Sequence, residues 1–544
     1  QRLILTALFI SLNIQLCCSV APIGVLNPKH SLAERSDLRG RSRYISVFTT
    51  ACMPWMTGTS VNPLLRAVYL EQRPEQHRIT LCVPWIARKD QELLFPGNMT
   101  FACKEDQEAF VRQWVREQLG CNTRIRIAFY DGVYAPEFAS ILPTSDPTGC
   151  VPEEERDVAV LEEPEHINWC HKGTPWCDAF NYVVGVVHTN YWQYAITDPH
   201  VNFLNRISRA LIIYTLNEWV VHAYCHRTIK LSGAVRQHAR AVICNVHGVR
   251  NKFLDIGEKA AGRRFKSGAY FIGKSLWGKG YTELMDQLSR YRKRTGQAVA
   301  LDVYGSGPDQ PAIAEEAARL QLGWTFYPAT DHANLQDYKV MVNPSLSDVV
   351  CTTTAEALAM GKFVVCADHP SNDFFKSFPN CFTYATSKEF ALCLQHALAA
   401  DPAPLSEEDR FRLSWEAATE RFYDASYCTG LEGRSRGKGR GDQLLASLHN
   451  KMAAWPLVET ISHRSGGTRD RPNLLSGPLL RVATAAAVAA SAMAAFVPTV
   501  PAWARLSCVA PPASERLPVD EVVARGADQE PVEKPVEKER ASSA

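Results

Sequence analysis

The sequence predicts an α/β protein made of two Rossmann-like domains, and three observations carry that prediction. A chain of 544 residues is longer than one ordinary hydrophobic core supports, so two or more domains are expected. From Tyr44 to Phe422 short apolar runs alternate with stretches of helical period, the pattern of parallel strands joined by crossover helices. That alternation breaks between Asn251 and Ser267, a polar, basic segment that reads as an interdomain linker. The expected layout is a leader over residues 1–43, a first domain over 44–250, the linker at 251–267 and a second domain over 268–404. A helix over 405–427 and a largely disordered tail over 428–544 follow, the tail including an alanine-rich run from Val482 to Val497 that reads as a helix.

Composition narrows the class. With 46% hydrophobic and 21% charged residues the chain reads as globular. A net charge of +2 gives a nucleic-acid partner no global electrostatic support, and an anionic membrane would have to be met by local patches. The 17 cysteines are scattered and show no paired C-x2-C spacing, which argues against structural zinc and for buried thiols in a reducing compartment. Secretion with disulfides is the rival, because Leu3 to Pro28 carries no charge and Ser19-Val20-Ala21 has the small-x-small form of a cleavage site. Asn13, Gln15 and Pro22 interrupt that stretch, so a spanning helix is not expected there.

The first domain opens with the strand ISVFTT, a loop carrying Thr57, Gly58 and Thr59, and a helix beginning near Pro63, where proline's missing N–H costs nothing. Gly58 then lies beyond the carboxyl end of a strand, where open parallel sheets place ligands, though a single glycine there also reads as an ordinary turn. DQEAFVRQWVREQL has helical period and reads as core-facing, or alternatively as an element on a membrane surface. DVAVLEEP crowds Glu162, Glu163, Glu165 and His166 at one strand end, and VVGVVHTNY ends another with His188. A lone histidine after an apolar run also reads as a structural one.

The second domain holds the chemistry. YFIGKSLWGKGYTELMDQL reads as a strand ending at Gly273, a turn with Lys274 and Lys279, and a helix from about Gly280; two lysines on such a turn suit a diphosphate. Tyr338 to Asp368 reads as strand, loop, helix, strand. Cys351, Thr352 and Thr353 place backbone N–H groups at the helix start, where an anion such as phosphate is favoured. Asp348 precedes them, and Glu356 lies a turn further in, placed to accept hydrogen bonds from hydroxyls beside that phosphate. Alone, this acidic pair also reads as a turn former and a solvated helix residue; the lysine turn upstream favours a nucleotide-diphosphate-sugar site.

The G-K-x4-K-G turn, with an acidic residue and a Glu downstream, resembles the donor site of the retaining family-four glycosyltransferases of the GT-B fold. PWMTGTSVNPLLRA, VLEEPEHINW, VVGVVHTNY, CNVHGV, TAEALAMGKFVVCADHPSNDFF and LSWEAATERF more closely resemble the plant and algal digalactosyldiacylglycerol synthases, over about Tyr44 to Phe422. Here the usual first Glu of the acidic pair is Asp348 and the usual Arg of the clamp is Lys274, changes that alter reach and fork geometry.

The resemblance implies two facing Rossmann-like domains around a cleft and transfer of galactose, with retention, from UDP-galactose to monogalactosyldiacylglycerol. It implies that Lys274, Lys279 and the helix start at Thr352 take the pyrophosphate, Glu356 the ribose hydroxyls, and Asp348 the galactose. Tyr304, Gly305, Ala329 and Thr330 would border the uracil, the Thr57-Gly58-Thr59 loop would approach donor and acceptor, and His188 would lie near the transferred sugar. No cofactor is expected to be required and no metal ligands are assigned; Mg²⁺ is possible but not indicated. The partners implied are UDP-galactose, the galactolipid and a membrane surface, with anionic lipid expected and nucleic acid not. The implied location is the plastid outer envelope, with peripheral or weakly anchored attachment. The rival readings are a related transferase with another donor or acceptor, and a non-catalytic lipid-binding protein on the same fold.

Overall fold

The computed structural model describes residues 30–136, 140–169, 173–197, 203–236, 238, 240–260, 265, 267–429, 446 and 449. Two sheets organise them. The first holds β1 (Tyr44–Phe48), β2 (Arg78–Trp85), β3 (Arg126–Ala135), β4 (Ser140–Pro143), β5 (Val158–Glu162), β6 (Tyr182–Val187), β7 (Arg227–Lys230) and β8 (Ala241–Ile243), in the order β4-β3-β2-β1-β5-β6-β7-β8. All of its pairs are parallel except β3 with β4. The second holds β9 (Ser267–Ile272), β10 (Leu301–Tyr304), β11 (Trp324–Tyr327), β12 (Tyr338–Asn343), β13 (Phe363–Ala367) and β14 (Cys381–Tyr384), in the order β11-β10-β9-β12-β13-β14, parallel throughout. The α/β class expected from the sequence is therefore present.

The central strands β5, β6 and β13 are buried along their whole length, because helices cover both faces of a parallel sheet, and this is why they read as continuous apolar runs. Each sheet also has a point where strand order reverses, between β1 and β5 in the first and between β9 and β12 in the second. Ligands of open α/β sheets bind beyond the carboxyl ends of strands at such points. The turn after β9 carries Lys274 and Lys279, and the loop after β12 carries Asp348, so topology alone gathers them.

The helix expected near Pro63 starts earlier, at Gly58, with Pro63 inside it, so Gly58 and Thr59 lie in its first turns instead of in a loop. Proline cannot donate to the carbonyl four residues back, which is Thr59 O. The Thr49 hydroxyl donates to that carbonyl instead, so the helix continues through the proline. Asn251–Lys259, expected as linker, is also helical, with Phe253 and Leu254 buried. Gly257 in it meets the second domain closely: a Cβ there would lie 2.0 Å from Ala359 O.

The leader and tail expectations fall mostly outside the described residues, with exceptions at both. Leu32–Ser36 is a helix closed by a Ser31/Glu34 capping box, Leu32 and Leu38 are buried, and Arg39 pairs with Glu420 and Asp424, so the end of the expected leader belongs to the fold. In the expected tail, Cys428 and Ala446 are buried and His449 Nδ1 lies 2.8 Å from the Tyr224 hydroxyl. The expected 405–427 helix is two, Glu407–Leu413 and Trp415–Ser426. The second returns to the first domain, where Trp415 stacks on Tyr69 (ring centroids 6.0 Å, 21°) and the Tyr423 hydroxyl lies 2.8 Å from His77 Nε2.

Lys104–Leu119 buries Val111, Trp114 and Val115, while Arg112 pairs with Glu108, so its tryptophan is a core residue. No described helix is long and apolar enough to cross a membrane. Among the described residues no disulfide joins the cysteines.

Candidate active site

At the second sheet's reversal point, Lys279 and Asp348 form an ion pair with Nζ and Oδ1 2.5 Å apart. The two turns that carry them are tied by Ser347, whose hydroxyl donates to Gly278 O at 2.7 Å. Lys274 reaches solvent from the first of these turns. Its pKa is lowered from the ordinary lysine value, first by the protein packed around it and then by the charge of Lys279. Because the ammonium is exposed, solvent screens most of that repulsion. Two cations on one turn, one of them held by a carboxylate that a ligand can displace, favour an added polyanion.

The helix Thr352–Ala359 begins after buried Cys351, whose sulfur lies 3.1 Å from the Thr353 hydroxyl. Burial, and then Asp348, push the Cys351 thiol pKa up, so it stays neutral. A turn further in, Glu356 Oε2 lies 2.9 Å from His332 Nδ1, and His332 Nε2 lies 2.6 Å from the Tyr270 hydroxyl. Thr352 and Glu356 share a cavity of about 200 Å³ with Thr57, Gly58, Asn62 and Arg250, so the lobes face each other across it. Arg250 is braced by Gln118 Oε1 at 2.7 Å.

Of the other expected site residues, Thr57 shares that cavity and Gly305 packs against the turn that carries Lys274. Gly305 (φ 157°) packs so closely that a Cβ would lie 1.9 Å from Gly273 O; it holds the two strand-end turns together. The Tyr304 hydroxyl lies 2.8 Å from that of Tyr338, and its ring stacks on Tyr327 at 4.8 Å, so it is engaged by the sheet. Ala329 is exposed, and the Thr330 hydroxyl accepts from Asn334 at 3.3 Å. Thr57 and Thr59 are joined through their hydroxyls at 2.9 Å.

In the first domain, His188 Nε2 is hydrogen-bonded to Glu162, whose other oxygen accepts from Arg66 Nε. Burial raises the Glu162 pKa, but Arg66 and then His188 outweigh it and hold it down at about 2. The His247 ring stands 4.8 Å from His188, and burial, followed by the charges of His188 and Arg66, pushes its pKa down. Glu162, His188 and His247 bring ligand-type atoms within 4.8 Å of one another, yet Glu162 is already ion-paired to Arg66, so the trio reads as a charge network. Arg66 lies within PWMTGTSVNPLLRA, but nothing local marks it as the partner of Glu162, and no local motif marks Arg250 or His332.

Residues 267–399, the second sheet and its helices, match a family model described as glycosyl transferases group 1. Digalactosyldiacylglycerol synthase 2, chloroplastic, of Arabidopsis thaliana is 47% identical over 394 residues, covering 71% of this chain and 82% of that protein. The chain belongs to the digalactosyldiacylglycerol synthase family. Digalactosyldiacylglycerol synthase 1, chloroplastic, of Lotus japonicus is 45% identical over 462 residues, 83% of this chain, and the chain spans 58% of that relative's length. Among solved structures, sucrose-phosphate synthase from Thermosynechococcus elongatus aligns with a TM-score of 0.40 and 12% identity, covering 75% of this chain and 100% of that one. With two facing Rossmann-like sheets, the family member described here has the GT-B architecture.

Proposed function

We propose that this chain transfers galactose from UDP-galactose to the headgroup of monogalactosyldiacylglycerol, with retention, giving an α-linked second galactose. The observation that carries this reading is the Lys279–Asp348 pair at the β9/β12 reversal, beside the amino end of the helix that bears Glu356. In this reading Lys274, Lys279 and the N–H groups at Thr352 bind the pyrophosphate and stabilise the charge that grows on UDP as the anomeric bond breaks. Lys279 leaves Asp348 for the phosphate, and Asp348 is released to the galactose hydroxyls. Glu356, held by His332, takes the ribose hydroxyls. The acceptor hydroxyl attacks from the face the phosphate leaves, and a phosphate oxygen receives its proton. His188, held by Glu162, orients the sugar.

The lysines and helix end supply the positive charge a divalent ion would otherwise give, so transfer should continue in a chelator. The names of the relatives include "chloroplastic", and the proposed setting is the plastid outer envelope, with peripheral attachment aided by anionic lipid. Incubating the full chain with UDP-galactose and monogalactosyldiacylglycerol in mixed lipid vesicles, then separating the lipids, tests the reading. Appearance of an α-linked digalactolipid supports it; turnover only with another nucleotide sugar or another acceptor overturns it.

A further inference from the structure

At the first sheet's reversal point, between β1 and β5, a second group of side chains converges that the donor site does not use. Glu163 follows β5 in a left-handed conformation (φ 66°, ψ 67°), unusual for a residue with a Cβ and a sign of local constraint. Its carboxylate accepts from the Thr189 hydroxyl and from the Tyr191 hydroxyl at 2.6 Å, both from the segment after β6. His166 Nδ1 lies 3.4 Å from Glu163 and 3.1 Å from the Thr50 hydroxyl, which follows β1. Three strand ends thus contribute to one cluster.

Rings line it. Trp169 lies 4.7 Å from His166 and 4.8 Å from Tyr191, measured between centroids, and both Trp169 and Tyr191 are half-buried, so this side meets the surface. Two polar atoms inside, Glu165 Oε2 and His166 Nε2, have no hydrogen-bond partner among the described residues, although their own residues are only 1% and 4% exposed. Native cores pair such atoms, so an unpaired acceptor and imidazole beside aromatic rings ask for a ligand that brings hydroxyls and an apolar face. Glu163 keeps a lowered pKa although burial opposes it, His166 and His188 outweighing burial, and a carboxylate there disfavours an anionic ligand. A neutral sugar meets all these conditions.

The cluster is also coupled to the donor domain. Asn190 donates to Ala234 O, Ala234 N donates to the Ser232 hydroxyl, and that hydroxyl donates to Val349 O, next to Asp348. We infer that Glu163, Glu165, His166, Trp169 and Tyr191 form the subsite that holds the acceptor's neutral hexose ring. Identification of the ligand as an acceptor rests on the proposed transfer reaction; the sugar-binding geometry does not.

The test uses the full chain, with UDP affinity measured by calorimetry and acceptor KM measured with monogalactosyldiacylglycerol in mixed micelles. Trp169→Ala should raise the acceptor KM at least about tenfold while UDP affinity stays within about twofold, and Trp169→Phe should restore most of the loss. Tyr191→Phe, which removes only one hydroxyl, should raise KM by a smaller factor. An acceptor KM within about twofold of wild type for Trp169→Ala overturns the subsite, whatever the reaction. Binding of a soluble alkyl β-galactoside, followed by tryptophan fluorescence, separates the two readings. If the wild type binds it, Trp169→Ala does not, and no galactose is transferred, the subsite stands and the proposed transfer falls.

Discussion

Lys279 Nζ and Asp348 Oδ1 meet at 2.5 Å across two turns whose residues lie 69 positions apart in the chain. The pair neutralises itself while no donor is bound, and a diphosphate competes for the same ammonium. Lys279→Ala should therefore lower transfer by roughly 10²–10³-fold, the range for losing one group aimed at developing charge. The fold should remain, because the lysine is partly exposed and Asp348 can then turn to water. Initial rates with UDP-galactose, alongside thermal melts, check both halves; near-normal turnover in the variant would remove the clamp from the site.

Glu356 is positioned by His332, which is itself held by Tyr270. His332→Ala frees the carboxylate to rotate without removing it. A hydrogen bond to a charged group is worth about 1.5 kcal/mol, or roughly tenfold in affinity. The expected result is a donor KM raised by about that factor with kcat little changed, and uridine should show a similar loss in direct binding. A fall in kcat alone would place Glu356 at the reacting carbon instead of at the ribose.

Glu162 and Glu165 give the first domain opposite acid responses. Glu162 has a folded pKa of about 2 against an ordinary 4.5, so its contribution is complete above pH 4.5 and is lost as pH falls towards 2. Burial raises Glu165 to about 7, so its contribution is present below pH 4.5 and is lost as pH rises through 7. Glu165→Gln, which stays neutral, should gain stability relative to wild type as pH is taken from 5 to 8, by on the order of a few kcal/mol. Arg66→Ala strands a buried carboxylate and should cost about 3–5 kcal/mol at neutral pH. Denaturant melts across pH read both; a wild-type and Glu165→Gln difference that is flat with pH would mean the carboxyl is not held neutral.

What the sequence disclosed follows from how locally each feature is encoded. β5 and β6 are buried on both faces, so VAVLE and YVVGVV announce themselves. β4, the antiparallel partner at one edge, is only four residues long and carries no such run, so nothing in the sequence announces it. Lys279 and Asp348 could be found because each lies on a turn with its own signature. Arg66 could not be, since it meets Glu162 from 96 positions away and sits in a helix that reads as ordinary core. Pro63 reads as a helix start, yet the helix covers 58–71, because the Thr49 hydroxyl, supplied from outside the segment, takes the carbonyl that the proline leaves unpaired.

Gly248 marks where the Trp415–Ser426 helix returns to the first domain. A Cβ there would stand 2.5 Å from Trp415 N and 2.6 Å from Ser414 C and O, all backbone atoms that cannot swing aside. Gly248→Ala must therefore push the helix start away, and with it the Trp415 ring, which lies 5.9 Å from His247. Overpacking of this kind costs about 1–3 kcal/mol. Since His247 touches His188, the displacement should also lower transfer, and the loss should persist at temperatures where the variant is fully folded. Gly268→Ala is the matched control: its added methyl would meet only Leu398 Cδ2 at 3.6 Å, an ordinary contact, in a strand where alanine reduces unfolded-chain entropy. Melting temperature should fall for the first variant and hold or rise for the second. Equal behaviour of the two would mean that the returning helix is not seated against Gly248.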